Sequence, residues 1–595
     1  ANGSELVIRA ESGTSDDLVT KAMGSSAGLA GIGAAKAYAD VESTTAVNVE
    51  TGAKVTNRFG NLVIQSLTGM GSYVTGNYNG AGLGAYPHAD ANTEDSTTKY
   101  NLNSYVNLGL GNTGSGSLAE ILGKDVDIYA GVKRLSLVAD TYAYTKAGHG
   151  RAWAYSYNLM YLNTKVNADK ADMRAYNYLK VQANGTPLWG GTHIFSYAGT
   201  KIAGFIGQIW SKACVMGSTN SEVNFTGNTI AGGKIEISAW KFAGNVRIQA
   251  DATVRALAIG NRHQVYWLGS NSKADVGNAT YYLGGTGVAV IVDKNGNVSA
   301  TGAVVTDRNN IKISNVASGS LQVNCNGNIN GDFSKIYTKR YIPEVKILNM
   351  GNFDITITGI DVYNTGSNGS VKIGDRTYQT TNDPNEAAVR PVVLVESHGN
   401  GAVIINGIIR NEHGTVTIKW VGKDAQGNGI TGDLRGGNKQ NMGGKEVASI
   451  WTTDFLVTGA KNVGGNNAPF TVYLSIYGGK EGSSPNMDEK EILFRNPTVQ
   501  IDAGGDIFTE LTIADIRAGG RDKMDGINST WAFEQALNVD LIRSSQGSID
   551  VKLGTPVRMA YAANTSPASV PTPGKAQFMT DKVTVAEKLL GIDDL

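Results

Sequence analysis

The chain has 595 residues, 76 of them Gly and only 2 Cys, with 41% apolar and 17% charged side chains and 52 acids matched by 52 bases. Its glycine share is well above the usual ~7% and its charge share below the usual quarter, but ordinary apolar content excludes a disordered chain, and zero net charge gives no support to a nucleic-acid or anionic-membrane partner. No apolar run approaches the ~18 residues of a membrane-spanning helix, and Ala1-Asn2-Gly3-Ser4 opens in a polar strand pattern without a signal peptide, as expected of a processed chain or a piece of a larger one.

Length alone suggests about four domains at roughly 150 residues each, a prior that repeats escape because their core grows with every added unit. Repetition is visible from the first residues. Leu6-Val7-Ile8-Arg9-Ala10 is followed by Leu62-Val63-Ile64-Gln65-Ser66, Leu135-Ser136-Leu137-Val138-Ala139, Leu179-Lys180-Val181-Gln182-Ala183 and Val246-Arg247-Ile248-Gln249-Ala250. Each is a pair of apolar residues two apart, closed by Ala or Ser. Period two with no helical period between copies predicts an all-β chain, built as a β-solenoid. A second short strand stands upstream of the later copies: Val47-Asn48-Val49, Val126-Asp127-Ile128, Val166 and Ile235-Glu236-Ile237.

Between these strands lie excursions of roughly 30 to 50 residues, too long for plain loop in a compact turn. In Tyr142 to Tyr155 small and large residues alternate, and Ser25 to Ala35 and Gly80 to Tyr86 repeat the theme. This predicts long hairpins extending the coils, with a Gly/Ala face that lets sheets approach closely.

From about residue 285 the strands follow one another more densely, as Val288 to Val292, Ile311-Lys312-Ile313, Leu321-Gln322-Val323, Val345-Lys346-Ile347, Ile355-Thr356-Ile357, Val371-Lys372-Ile373, Val403-Ile404-Ile405 and Val416-Thr417-Ile418. Gly or Asn at the corners supplies the turn conformation. Thr530 to Leu537 and Val583 to Leu590 read as helical, and Thr565 to Gly574, rich in Pro, as a linker. The expected division is 1–284, β-solenoid with long Gly/Ala/Tyr-rich excursions; 285–564, denser β-solenoid; 565–574, Pro-rich linker; and 575–595, a short C-terminal segment, partly helical.

Chemistry-bearing patterns are sparse. His88, His149, His193, His263, His398 and His413 stand apart without metal-ligand spacing and read as isolated surface or turn residues. Gly24-Ser25-Ser26-Ala27-Gly28 spells Gly-x-Ser-x-Gly but follows no strand-to-helix transition, so it is no nucleophile elbow, and no phosphate-binding loop occurs. The acidic pairs Glu94-Asp95 and Asp593-Asp594 fit solvated turns better than an acid and base. Asp293-Lys294-Asn295-Gly296-Asn297 looks like the start of a calcium loop but lacks the downstream Glu, and Asn-Gly is a hairpin turn signal. Tyr142, Tyr144, Tyr155, Tyr157, Tyr161, Tyr176 and Tyr178 suit sugar or protein contacts, though covering a glycine-rich neighbour is the simpler reading. Cys214 and Cys325 read as separate thiols, a single disulfide being the alternative. No catalytic, cofactor-binding or metal-ligating residue is assigned, and no cofactor is expected.

Asn- and Gly-cornered phrases such as Asn310 to Asn315 and Gly319 to Asn324, alternating with Ala/Gly/Ser excursions such as Gly24 to Gly31, resemble the large bacterial filamentous adhesins over most of residues 1–560. The leukotoxin-type adhesins are the nearest likeness and filamentous haemagglutinin a looser one. The resemblance implies a right-handed parallel β-helix rod exported to the bacterial cell surface, and brings no catalytic residues. The secretion domain and surface anchor that such proteins carry have no counterpart within 1–595. The expected function is the structural shaft of an extracellular surface filament or adhesin, working by length, stacking and multivalent contact without catalysis. Expected partners are identical subunits end to end or further segments of a giant chain, with host or bacterial surface glycans and proteins as ligands. Two alternatives stand beside it: a β-helical polysaccharide lyase or hydrolase, whose carboxylates would converge from different coils, and a self-assembling surface-layer or sheath subunit.

Overall fold

In the computed structural model every regular element among the described residues is a β-strand. It describes the backbone of strands between Leu6 and Ala586 with some of the short links joining them, and side chains mainly within 4–240 and 311–511.

The opening phrase sets the stacking. Leu6 lies beside Leu62, Leu62 beside Val126, Val126 beside Leu179 and Leu179 beside Ile235, all in parallel register. The same line continues through Leu321, Val345, Val393, Val416, Phe455 and Val499. A second line runs through Val47, Val106, Val166, Val223, Ile311, Ile329, Ile355 and Val403. A third, Val55, Ile121, Met173 and Thr229, lies on the stretch that leads back to the first. The chain is thus a solenoid-like stack of parallel strands, and one buried apolar cluster runs along it from Val47 to Leu511. Alternation fixes the register, because a slip of one residue would turn every apolar side chain to solvent. Full burial of each Val, Leu or Ile contributes about 1.5–3 kcal/mol.

The five phrases belong to two different lines. Leu6, Leu62 and Leu179 share theirs with Val126 and Ile235, the supposed upstream strands, whereas Leu137 and Val246 flank Ile194 in another. Both lines carry the same period-two pattern, so periodicity alone could not separate them.

Up to Trp240 the turns are wide, returning to the first line every 53 to 64 or so residues. Between Ser66 and Ser104 the chain runs out along one leg and back along another, forming a second lobe. The long hairpins expected here run out and back, but their legs do not pair with each other: among the described residues up to Trp240 every pairing is parallel, and each leg bonds to the same leg of the next turn. Tyr78 lies beside Gly24 and Ala143, and Ala89 beside Ala35 and Ala154. The legs face one another through small side chains, with Ala85, Ala89, Ala139, Ala143, Ala152 and Ala154 buried. Their approach is close enough for Ser156 Oγ to donate to Ala139 O across 2.7 Å.

Where the lobe joins the main stack, buried hydroxyls bridge the two sides. Ser104 Oγ donates to Ser66 O at 2.7 Å and Ser66 Oγ to Thr45 O at 2.9 Å, while the Thr164 and Ser221 hydroxyls, 2.8 Å apart, join successive turns along one side. This waist divides the section of a wide turn into two cores, Ile64 and Val106 on one side and Met70 and Leu102 on the other.

The lobe ends beneath strands Asn245–Arg255 and Asn261–Tyr266, laid parallel on Thr192–Phe225, and the antiparallel pairs Ser272–Val276 with Ala279–Leu283 and Ala289–Val292 with Val298–Thr301. Beyond it the second lobe is gone: strand Val316–Cys325 passes almost directly into Asn328–Asp332. The dense stack therefore takes up at Asp307 and Val316, later than residue 285. Near the C-terminal end, Val583–Ala586 is a strand paired with Ile549 to Lys552, not the start of a helix, since its two Val residues two apart extend the second line. Thr530 to Leu537, the linker 565–574 and residues 587–595 lie outside the described residues.

Candidate functional site

Four histidines expected to be isolated have partners. His88 and Asp90 stand at alternate positions on the outward face of the returning leg, their inward neighbours Ala85 and Ala89 being fully buried. His88 Nε2 lies 2.7 Å from Asp90 Oδ1, and neither atom has another hydrogen-bond partner among the described residues. From the turn below, Lys36 Nζ reaches Asp90 Oδ2 at 3.3 Å, and the carboxylate holds this ammonium above its ordinary range. From the turn above, Tyr155 meets the imidazole edge to face at 5.3 Å between centroids, and Trp153 leans on it at 6.3 Å and 60°. The stack creates the site: Lys36 pairs in register with Asp90, Asp90 with Tyr155, and His88 with Trp153. In sequence these groups are some 55 to 65 residues apart, and only the strand register would have shown that they meet.

At the tip of the same face the Tyr86 hydroxyl lies 3.2 Å from His149 Nδ1. His193 stacks on Phe195 at 6.2 Å, and Phe195 on Tyr197. In the narrow stack His398 Nε2 is 2.5 Å from Glu396 Oε1, while Lys419 Nζ is 2.8 Å from Glu396 Oε2. Burial alone would raise the Glu396 carboxyl, but the hydrogen bonds from Lys419 and His398 outweigh it and hold it below its ordinary value. Trp451 stacks on Tyr473 at 4.2 Å with Arg410 at 5.8 Å from its ring. The side chains of His263 and His413 lie outside the described residues.

Comparison with family models, curated proteins and solved structures finds no match for this chain. Its chemistry is therefore read from the residues alone.

Among the described residues no group of three or more His, Cys, Asp and Glu side chains could hold a metal ion. Asp293 to Asn297, Glu94-Asp95 and Asp593-Asp594 fall outside them. Cys325 is a free, buried thiol whose Sγ accepts the Gly327 N–H at 3.2 Å. The tyrosine cluster divides: Tyr157 and Tyr176 are buried, and Tyr142, Tyr144, Tyr155, Tyr161 and Tyr178 are half-buried on outward faces. Tyr178 donates to Glu236 Oε2 at 2.7 Å. Among the described residues only the surroundings of His88 bring aromatic rings, a carboxylate, an imidazole and a cation together on one face. Such a face suits recognition by stacking and hydrogen bonding.

Proposed function

We propose that the chain is a structural shaft, a right-handed parallel β-helix belonging to an extracellular bacterial filament or adhesin. The observation that carries this reading is the single apolar cluster running without interruption from Val47 to Leu511 through stacked turns, an architecture whose product is length. The handedness follows the strong general preference of crossover connections between parallel strands. Apolar side chains left open on the first turn, Met23 at 79%, Leu29 at 80% and Phe59 at 79% exposure, support stacking on a further turn or copy.

Successive pairings from Leu6 to Phe578 at ~4.8 Å each give a rod about 60 Å long. Electron microscopy of the purified chain tests the reading. Rods of this length, joining end to end as concentration rises, are expected. Discrete short rods at every concentration would reject self-assembly, and rounded particles would reject the shaft itself.

A further inference from the structure

We propose that the outward face around His88 is a binding platform for an acidic oligosaccharide. Three adjacent turns contribute alternate residues to it: Lys36 from the first, Tyr86, His88 and Asp90 from the second, Arg151, Trp153 and Tyr155 from the third. Turns ~4.8 Å apart and alternate residues ~6.8 Å apart make a nearly flat grid of about 10 by 14 Å, open to a short run of sugar rings.

Its composition selects that ligand. Pyranose rings present C–H faces that pack on aromatic rings, and Trp153, Tyr155 and Tyr86 are all half-buried, with part of each ring left to solvent. Sugar hydroxyls need rigid donors and acceptors. The His88 ring is one, 29% exposed and fixed from below by its buried Nε2 contact to Asp90 and from above by Trp153 and Tyr155. Arg151 is exposed at the rim, and its planar fork matches a sugar carboxylate. Lys36, paired with Asp90, adds a second cation at the opposite corner of the grid, so separate carboxylates along a chain can each meet a positive charge, and a uronate chain is preferred to a neutral one. Trp451 marks the contrast, since Tyr473 stacks on its ring at 4.2 Å and Arg410 lies 5.8 Å from it, so its faces are already occupied. A flat site of this kind binds weakly per copy and gains by repetition along a fibre or a polysaccharide. The proposal does not depend on the shaft reading.

Tryptophan fluorescence and calorimetry of the full chain with hexagalacturonate and with cellohexaose provide the test. Binding of hexagalacturonate is expected, with cellohexaose at least tenfold weaker. Trp153→Ala should reduce the affinity at least tenfold, Arg151→Gln should remove the preference for the acidic probe, and Trp451→Ala should leave binding unchanged. Tyr86→Ala, at the tip of the leg, gives a second readout should Trp153→Ala fail to fold. Binding of neither probe, or binding that survives both aromatic substitutions, overturns the platform. Equal affinity for the two probes overturns its acidic specificity.

Discussion

At Cys325 burial pushes the thiol up to about 12, partly offset by the Gly327 N–H, so almost no thiolate exists near neutrality and the side chain behaves as a small apolar residue. Iodoacetamide at pH 8 should leave the Cys325 peptide unlabelled in the folded chain and label it after denaturation, as read by mass spectrometry. Asp127 is raised in the same way, but for a carboxyl the shift costs stability. Burial raises its carboxyl above the ordinary value, Lys180 opposes this in part, and Oδ1 is buried without a hydrogen-bond partner. A carboxyl raised on folding costs stability wherever the folded group must ionise, and the cost fades as pH falls through the raised value to the ordinary one. Asp127→Asn should therefore raise the melting temperature at pH 7, with the gain shrinking toward pH 4. An equal gain at both pH values would assign the effect to packing instead of charge.

The closing residue of the phrase correlates with the kind of turn that follows. This register position reads Ala10, Ser66, Ala130, Ala183 and Ala239 in the wide turns, then Cys325, Asn349 and Ser397 in the first three narrow ones, before Trp420. In these three turns the side chain takes the N–H two residues on: Gly327 N–H to Cys325 Sγ at 3.2 Å, Gly351 N–H to Asn349 Oδ1 at 2.9 Å, Gly399 N–H to Ser397 Oγ at 3.4 Å. That bond closes a tight corner, whereas Ala has nothing to close it with. Asn349 also donates to Gly327 O and Phe353 O at 3.2 and 2.6 Å. Asn349→Ala should lower stability by about 1–3 kcal/mol in urea titration, because buried backbone groups lose their partner. The lobes depend instead on having no side chain. A Cβ at Gly76 would lie 2.3 Å from Asp90 O on the facing leg. Gly76→Val should destabilise by about 2 kcal/mol or more, since backbone has to move, whereas a change at Gly52, with open space around it, is judged only by its positive φ.

Across the whole molecule, stability is a sum over neighbouring turns. Outside the cores, an asparagine ladder links four of them: Asn107 Nδ2 donates to Asn48 Oδ1 at 2.9 Å, Asn167 to Asn107 at 2.8 Å and Asn224 to Asn167 at 3.2 Å. One connection reaches farther. The hairpin Ser370–Ile373 with Arg376–Gln379 brings Asp375 back to Tyr176, whose hydroxyl donates to it at 2.8 Å. The second core is confined to the wide turns, and damage there should stay there. Leu137→Ala leaves a cavity costing about 2–5 kcal/mol. Hydrogen exchange should rise in the lobes of adjacent turns and stay unchanged in 392–420; a uniform rise along the chain would show a single cooperative unit in place of coupled turns.

The sequence by itself determined the strand period, the repetition, the change from wide to dense turns and the small-residue faces, because each is written in residues close along the chain. Val126 to Ile128 and Leu135 to Ala139 look alike for that reason, and only the register assigns them to different lines. The tertiary structure alone decided that excursions stack on their counterparts, that hydroxyls at Ser66 and Ser104 split one core into two, and that Val583–Ala586 extends a line of strands. It also decided the site. Lys36, His88, Asp90, Trp153 and Tyr155 share no local signal; they meet because parallel stacking converts a separation of one turn into a distance of ~4.8 Å.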